Sequence, residues 1–207
     1  MKKILKKIVK NEKNPENVDV YYKFIGKEFG SFRYLFPEKK LSNVPIKDIF
    51  KGQTAIEDIE IDKRAFAGAE IDTLVIPGGV TAIPDACFRA SKITTLTLPS
   101  TLSTIGIEAF AEAAIDILAI PEGVTALPKY CFRAANITTL QLPSTLSTID
   151  ISAFAGAEID TLEIPGGVTA IPDACFKASK INKLQLPSAL STIGIRTFAG
   201  AEIDTLE

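Results

Sequence analysis

From residue 54 to the end of the chain, the apolar positions recur with a period that belongs to neither a lone helix nor a lone strand. Phe66, Phe88, Phe110, Phe132, Phe154, Phe176 and Phe198 fall every 22 residues, and so do Pro77, Pro99, Pro121, Pro143, Pro165 and Pro187. Between these markers Ile71, Leu74, Ile76, Val80, Ile83 and Phe88 occupy positions that stay apolar in every later copy. A 22-residue unit is too short to bury its own apolar face, so the units must stack as coils of a solenoid around one inner column of side chains.

Within a coil, the spacing I-x-x-L-x-I ends with the alternation of a short strand, which leaves Thr73 and Val75 outward. Strands of successive coils are expected to pair in parallel. Pro77 has no N–H for a ladder and ends the strand. The residue after it is Gly78, Ser100, Glu122, Ser144, Gly166 or Ser188, so positive φ is not required there, and a type I turn with proline at its second position fits. The run PDACFRAS, with Pro84 at its start, is expected to form one helical turn.

The coils come in two alternating kinds, IPGGVTAIPDACFRASKITTLT at 76–97 and LPSTLSTIGIEAFAEAAIDILA at 98–119, so the duplicated unit is a 44-residue pair. Six complete copies fill 76–207, and FAGAEIDTLE occurs letter for letter at 154–163 and 198–207. An imperfect copy at 54–75, TAIEDIEIDKRAFAGAEIDTLV, keeps the Phe and the IDTL without the Pro and reads as a first coil blended into a cap.

The order L-x-(I/L)-P, then V/L-x-x-I, then A-F or C-F, then a small residue and the next I-x-x-L resembles the BspA-like leucine-rich repeats over residues 54–207. Proline stands in the region where the usual leucine-rich repeat has an asparagine. The resemblance implies an α/β solenoid, a horseshoe or arc with short parallel strands on the concave face and an irregular or single-turn helical convex side. It also implies a non-enzymatic protein that binds or adheres to other proteins, at a cell surface or secreted. The opening MKKILKKIVKN does not have the form of a secretory signal peptide.

Charge divides the chain. Residues 1–52 hold 13 Lys/Arg against 6 Asp/Glu, and residues 53–207 hold 10 against 19, a basic head of +7 on an acidic body of −9. The expected organisation is a basic, aromatic-rich capping region at 1–53 and a seven-coil solenoid at 54–207. The head contains VYYKFIGKEFGSFRYLF at 20–36, with seven aromatics among basic residues. Such a mixture suits base stacking, and KEFGSFRY at 27–34 partly follows an RNA-recognition pattern, but Glu28 and Ser31 stand where that pattern needs a small and an aromatic residue. A core that lids the open solenoid is the preferred reading over nucleic acid. Residues 1–11 fit a basic amphipathic helix with Ile4, Leu5, Ile8 and Val9 on one side, packed on the first coil in preference to lying on an anionic membrane.

Candidate chemistry is sparse. The chain has no histidine, which removes the commonest general base and metal ligand. Cys87, Cys131 and Cys175 lie two coils apart, roughly 9–10 Å at about 4.7–4.9 Å per strand, beyond the roughly 7 Å reach of a disulfide. They read as small buried residues. Asp72, Asp116, Asp160 and Asp204 are similarly spaced, too far apart to share one ion, and read as a solvated edge in preference to a calcium row. No enzyme activity, cofactor or metal is expected.

What varies between coils is the outward pair on each strand: Thr73/Val75, Thr95/Thr97, Ile117/Ala119, Thr139/Gln141, Thr161/Glu163, Lys183/Gln185 and Thr205/Glu207. This broad, mostly uncharged strip is the expected site for a protein or peptide partner. The alternative is a structural role, in which the last coil, ending on Leu206 and Glu207 with an open strand edge, associates with further coils or a second copy.

Overall fold

A computed structural model of the chain describes residues 2–10, 17–28, 31–34, 39–45 and 58–207, with side chains from Ile61 onward. Five strands form a first sheet: β1 (Lys2–Lys10), β2 (Asn17–Glu28), β3 (Ser31–Tyr34), β4 (Lys39–Pro45) and β5 (Asp58–Ile61). β1 is central, antiparallel to β2 and parallel to β5, and β2 also pairs antiparallel with β3 and β4. The expected helix at the start of the chain is therefore a strand. Paired lysines and paired β-branched or apolar residues satisfy a helical stripe in isolation, but two neighbouring strands engage this backbone on both sides, and tertiary pairing overrides that weak preference. The KEFGSFRY segment falls across the β2–β3 pair, with Lys27 opposite Phe32.

Beyond this sheet the chain winds into a parallel-strand solenoid, with six full coils between residues 70 and 201. Each coil begins with a long strand: β6 (Glu70–Val75), β8 (Lys92–Thr97), β10 (Ala114–Ala119), β12 (Asn136–Gln141), β14 (Glu158–Glu163) and β16 (Lys180–Gln185), followed by β18 (Glu202–Leu206). These seven form one sheet in sequence order, all parallel. Register pairs every Ile with the next Ile and the strands' burial repeats, with Ile and Leu inward. A two-residue strand follows in each coil: β7 (Ala82–Ile83), β9 (Thr104–Ile105), β11 (Ala126–Leu127), β13 (Thr148–Ile149), β15 (Ala170–Ile171) and β17 (Thr192–Ile193).

The inner column is as the spacing requires. Leu74, Ile76, Val80, Ile83 and Phe88 are buried and Ile71 is half-buried against them. The seven phenylalanines make a continuous stack, ring centroids 5.3–5.5 Å apart and planes within 13° of parallel. One ring per coil at matched positions leaves no choice but to lie over its neighbours, and offset stacking is a favourable geometry for them.

Two local expectations change. Proline is the first residue of its turn, not the second: Pro77 C=O accepts from Val80 N–H, and Pro99, Pro121, Pro143, Pro165 and Pro187 accept likewise from the residue three further on. Proline has already ended the strand, so its carbonyl is the group left over to close the turn. Nor does the phenylalanine segment make a helical turn. In PDACFRAS the N–H groups of Cys87, Arg89 and Ser91 close three successive turns onto Pro84, Ala86 and Phe88, while those of Ala86, Phe88 and Ala90 donate to Ile107, Ala109 and Ala111 of the next coil. A helix would direct every N–H along its own axis. Alternating them between turn and neighbour instead places Ala86 (φ 52°) and Ala90 (φ 54°) in the left-handed region, and the same two positions recur down the array. The described residues contain no α-helix, so the α/β class expected from the sequence becomes strands and turns alone.

Candidate functional site

The strand face is built by the I-x-x-L spacing. With Ile115 and Leu118 fixed inward, Asp116 and Ile117 both turn out, and Ala119 follows after Leu118. Of the twelve residues expected to meet a partner, Thr73, Val75, Thr97, Ile117, Ala119, Thr139, Gln141, Thr161, Glu163 and Gln185 are exposed, and Thr95 and Lys183 are half-buried. Register sets Thr73 beside Thr95, Thr95 beside Ile117, Ile117 beside Thr139, Thr139 beside Thr161 and Thr161 beside Lys183. In the second column it sets Val75 beside Thr97, Ala119 beside Gln141 and Glu163 beside Gln185. It does not carry Thr97 to Ala119 or Gln141 to Glu163, because those two ladders end earlier.

Over the first four coils both columns are uncharged, and the exposed apolar side chains Val75 and Ile117 lie among threonines and Ala119. Charge enters only with Glu163 and Lys183, the latter in an ion pair with Glu207 at 2.8 Å. A neighbouring outward column also pairs across coils, Lys92 with Glu70 at 2.9 Å and Lys180 with Glu202 at 3.9 Å. The outward aspartates of the Asp72 column are exposed, and Asp160 accepts from Asn182 at 3.0 Å, a coil-to-coil link. Among the described residues no group of three His, Cys, Asp or Glu gathers as a metal site.

The cysteines face inward. All three are buried free thiols, and burial, which disfavours the thiolate, pushes Cys175 up to about 12 and raises Cys87 and Cys131 as well. The phenylalanine side carries its own ion-pair chain: Arg89 reaches Glu108 and Glu112 at 2.9 Å each, and Arg133 reaches Glu112 at 3.2 Å. Sequence spacing did not reveal this chain, although Arg89 and Arg133 directly follow Phe88 and Phe132 and both glutamates flank Phe110.

A residue missed by the outward-pair reading is Glu122, at the proline turn. Its carboxylate accepts from Ser144 N at 3.2 Å, Ser144 Oγ at 2.9 Å and Thr145 N at 3.3 Å. These bonds hold its carboxyl below the usual range. It lines a depression of about 520 Å³ with Thr139, Gln141, Ser144, Thr161 and Glu163.

The parallel sheet, the proline turns and the buried apolar column together define a leucine-rich-repeat type of solenoid. The chain belongs to the BspA type leucine rich repeat family, whose model matches it in six copies over residues 59–182 and 103–207. Among solved structures it is similar to a leucine-rich repeat protein from Bacteroides ovatus, at 16% identity and a TM-score of 0.34, covering 68% of this chain and 61% of that one. Comparison with curated proteins returns no match. The family is one of repeat scaffolds for protein–protein interaction and is typically non-enzymatic.

Proposed function

We propose that the chain is a non-enzymatic binding module whose strand side, the concave side of the arc on this reading, grips a protein or peptide ligand, as in adhesion. The observation that carries this is the eight-residue uncharged platform of Thr73, Thr95, Ile117, Thr139, Val75, Thr97, Ala119 and Gln141, with Ile117 and Val75 each more than half exposed. Exposed aliphatic groups framed by small polar ones on a rigid sheet give a partner apolar area to bury at little ordering cost. Selection of peptides from a displayed library against the folded protein tests it. Ligands should lose binding on Ile117→Asp and Thr95→Lys and keep it on Lys177→Glu, which lies on the opposite, phenylalanine side. Ligands indifferent to both strand-face variants would refute the reading.

Residues 1–53 act, on this reading, as a lid on the first coil. Ile61, at the end of β5, is buried in the same core as Phe66 while β5 pairs with β1, which supports this reading. Removing residues 1–53 should abolish cooperative unfolding of the coils; unchanged melting would count against a lid. A second reading, self-association through the coil at 180–201, rests on Ile193 and Ile195, exposed at 53% and 73%, beside the half-buried Phe198. Growth of molar mass with concentration, reversed by Ile195→Lys, would favour it.

A further inference from the structure

The strand face changes character between the fourth and fifth long strands. The β12–β14 register ends at Thr139 and Thr161, and the β8–β10 register likewise stops at Leu96 and Leu118, whereas β10–β12 continues to Ala119 and Gln141 and β14–β16 to Glu163 and Gln185. The amide bond that locks the next position is missing there too. Ile76 donates to Thr97 C=O at 2.9 Å, Ile120 to Gln141 C=O at 2.9 Å, Ile164 to Gln185 C=O at 2.9 Å and Leu186 to Glu207 C=O at 2.7 Å, but no such bond joins Leu142 to Glu163 or Leu98 to Ala119. Leu142 is half-buried, as is its equivalent Leu186, while Ile120 and Ile164 are buried. The 520 Å³ depression lies at these strand ends, and the buried Leu140 and the half-buried Leu142 are among its lining residues.

Its charge is one-sided. The lining contains the carboxylates of Glu122 and Glu163 and no lysine or arginine. Glu122 is engaged by Ser144 and Thr145, but the Glu163 side chain differs from that of every other glutamate between residues 61 and 207 in having neither an ion pair nor a hydrogen bond. Glu70, Glu108, Glu112, Glu202 and Glu207 are all in ion pairs, and Glu158 accepts from Asn136. The nearest cation by register, Lys183 in the next coil, is committed to Glu207. An exposed, unpaired carboxylate alone would mean little. Placed on a cavity whose lining includes the half-buried Leu142 and no positive charge, it matches one kind of guest, an alkyl stem that ends in a cation.

We infer that this depression is an arginine subsite: a partner's arginine enters between the ends of β12 and β14, its stem against Leu142 and its guanidinium on the Glu163 carboxylate. The inference rests on the strand face being the protein-binding face. Arginine fits better than lysine because its planar fork presents five donors in one plane, enough to engage a carboxylate and also the Gln141 amide and the Thr139 and Thr161 hydroxyls. Lysine concentrates its charge at one strongly hydrated point.

The test is an amide-resolved NMR titration of the full chain with the blocked peptide acetyl-Gly-Arg-Gly-amide, against the same peptide carrying neutral, isosteric citrulline. Saturable shifts confined to residues 139–144 and 161–166, with citrulline binding about tenfold more weakly and Glu163→Gln weakening the arginine peptide by about tenfold, are expected. Equal shifts from citrulline, shifts spread over the acidic surface at Glu112, Glu158 and Glu202, or unchanged affinity in Glu163→Gln would overturn the subsite. Ile117→Asp separates the two proposals. A library-selected ligand that is lost on Ile117→Asp but bound equally by Glu163→Gln leaves the face standing and the subsite refuted.

Discussion

Replacing Phe132 by alanine should destabilise the array far more than the same change at Phe198. Phe132 is fully buried, and its ring lies 5.3 Å from that of Phe110 and 5.4 Å from that of Phe154, within 8° of parallel in both cases. Truncating a buried phenylalanine costs about 3–5 kcal/mol, a figure that already contains the ring–ring contacts, themselves about 0.5–1.5 kcal/mol each. Phe198 has one ring neighbour, Phe176 at 5.5 Å, and is only half-buried. Half the contacts and half the burial give about 1.5–2.5 kcal/mol by the same scale. Urea unfolding followed by far-ultraviolet circular dichroism measures both. Because each coil touches only its neighbours, the interior change should also lower the dependence on denaturant, as the two flanking blocks begin to unfold separately. Equal costs at the two sites, or a cost at Phe132 below about 1 kcal/mol, would show that the stack is not what couples the coils.

Ala134→Gly should stabilise the protein by about 0.5 kcal/mol, because Ala134 sits at φ 53°, where an L-residue is strained by about 1–2 kcal/mol and glycine's extra unfolded freedom offsets only part of the relief. Gly156→Ala, the reverse change at φ 69° with its nearest neighbours 3.8 Å from the new Cβ, should cost a similar amount; opposite signs in chemical denaturation would refute this. Ser91→Ala should raise stability by about 1 kcal/mol, since its buried hydroxyl has no partner, whereas Ser179→Ala should lower it, since that hydroxyl donates to Phe176 C=O at 2.8 Å. The three buried thiols should resist a disulfide reagent at pH 8 until denaturant is added, and rapid labelling of the native protein would contradict their burial. The hydrogen bonds from Ser144 lower the Glu122 carboxyl in the fold, so their contribution is complete above the ordinary value of 4.5 and is lost as pH falls through the lower folded value. Glu122→Gln should therefore lower the urea midpoint near pH 6 and converge with the parent near pH 3; a constant difference would refute the linkage.

The solenoid was legible because each inward position must be apolar in every coil, and a requirement repeated at a 22-residue interval shows as a period. Phe88 and Leu74 belong to that class. The path of the backbone between such positions was less legible. PDACFRAS has residues that a helix tolerates, and only the carbonyls of Ile107, Ala109 and Ala111, one coil away, draw alternate N–H groups out of a helical direction. The first strand was misread for the same reason, its partners β2 and β5 lying outside any local window. On the strand face, the outward columns followed from the period, but no requirement repeats there. The early end of the ladders follows the 44-residue pair, at Leu98 and Leu142, but the unpaired carboxylate of Glu163 left no trace in the spacing.

The 44-residue pairing has a physical cause on the side of the short strands. Gly106, Asp150 and Gly194 donate their N–H groups to the carbonyls of Ile83, Leu127 and Ile171, closing the β7–β9, β11–β13 and β15–β17 pairs. The equivalent residues of the alternate coils are Pro84, Pro128 and Pro172, which have no N–H to give. No ladder therefore forms between β9 and β11 or between β13 and β15, and a second depression, of about 490 Å³, lies over the first of these junctions. On this side the array is a row of hydrogen-bonded coil pairs, while the seven long strands remain one sheet and the phenylalanine stack continues through every coil. Duplicating a pair keeps proline coils and donor coils in alternation. Duplicating a proline coil alone would set two proline coils side by side, with neither able to donate to the other at that position, whereas copying the pair keeps one such bond for every two coils.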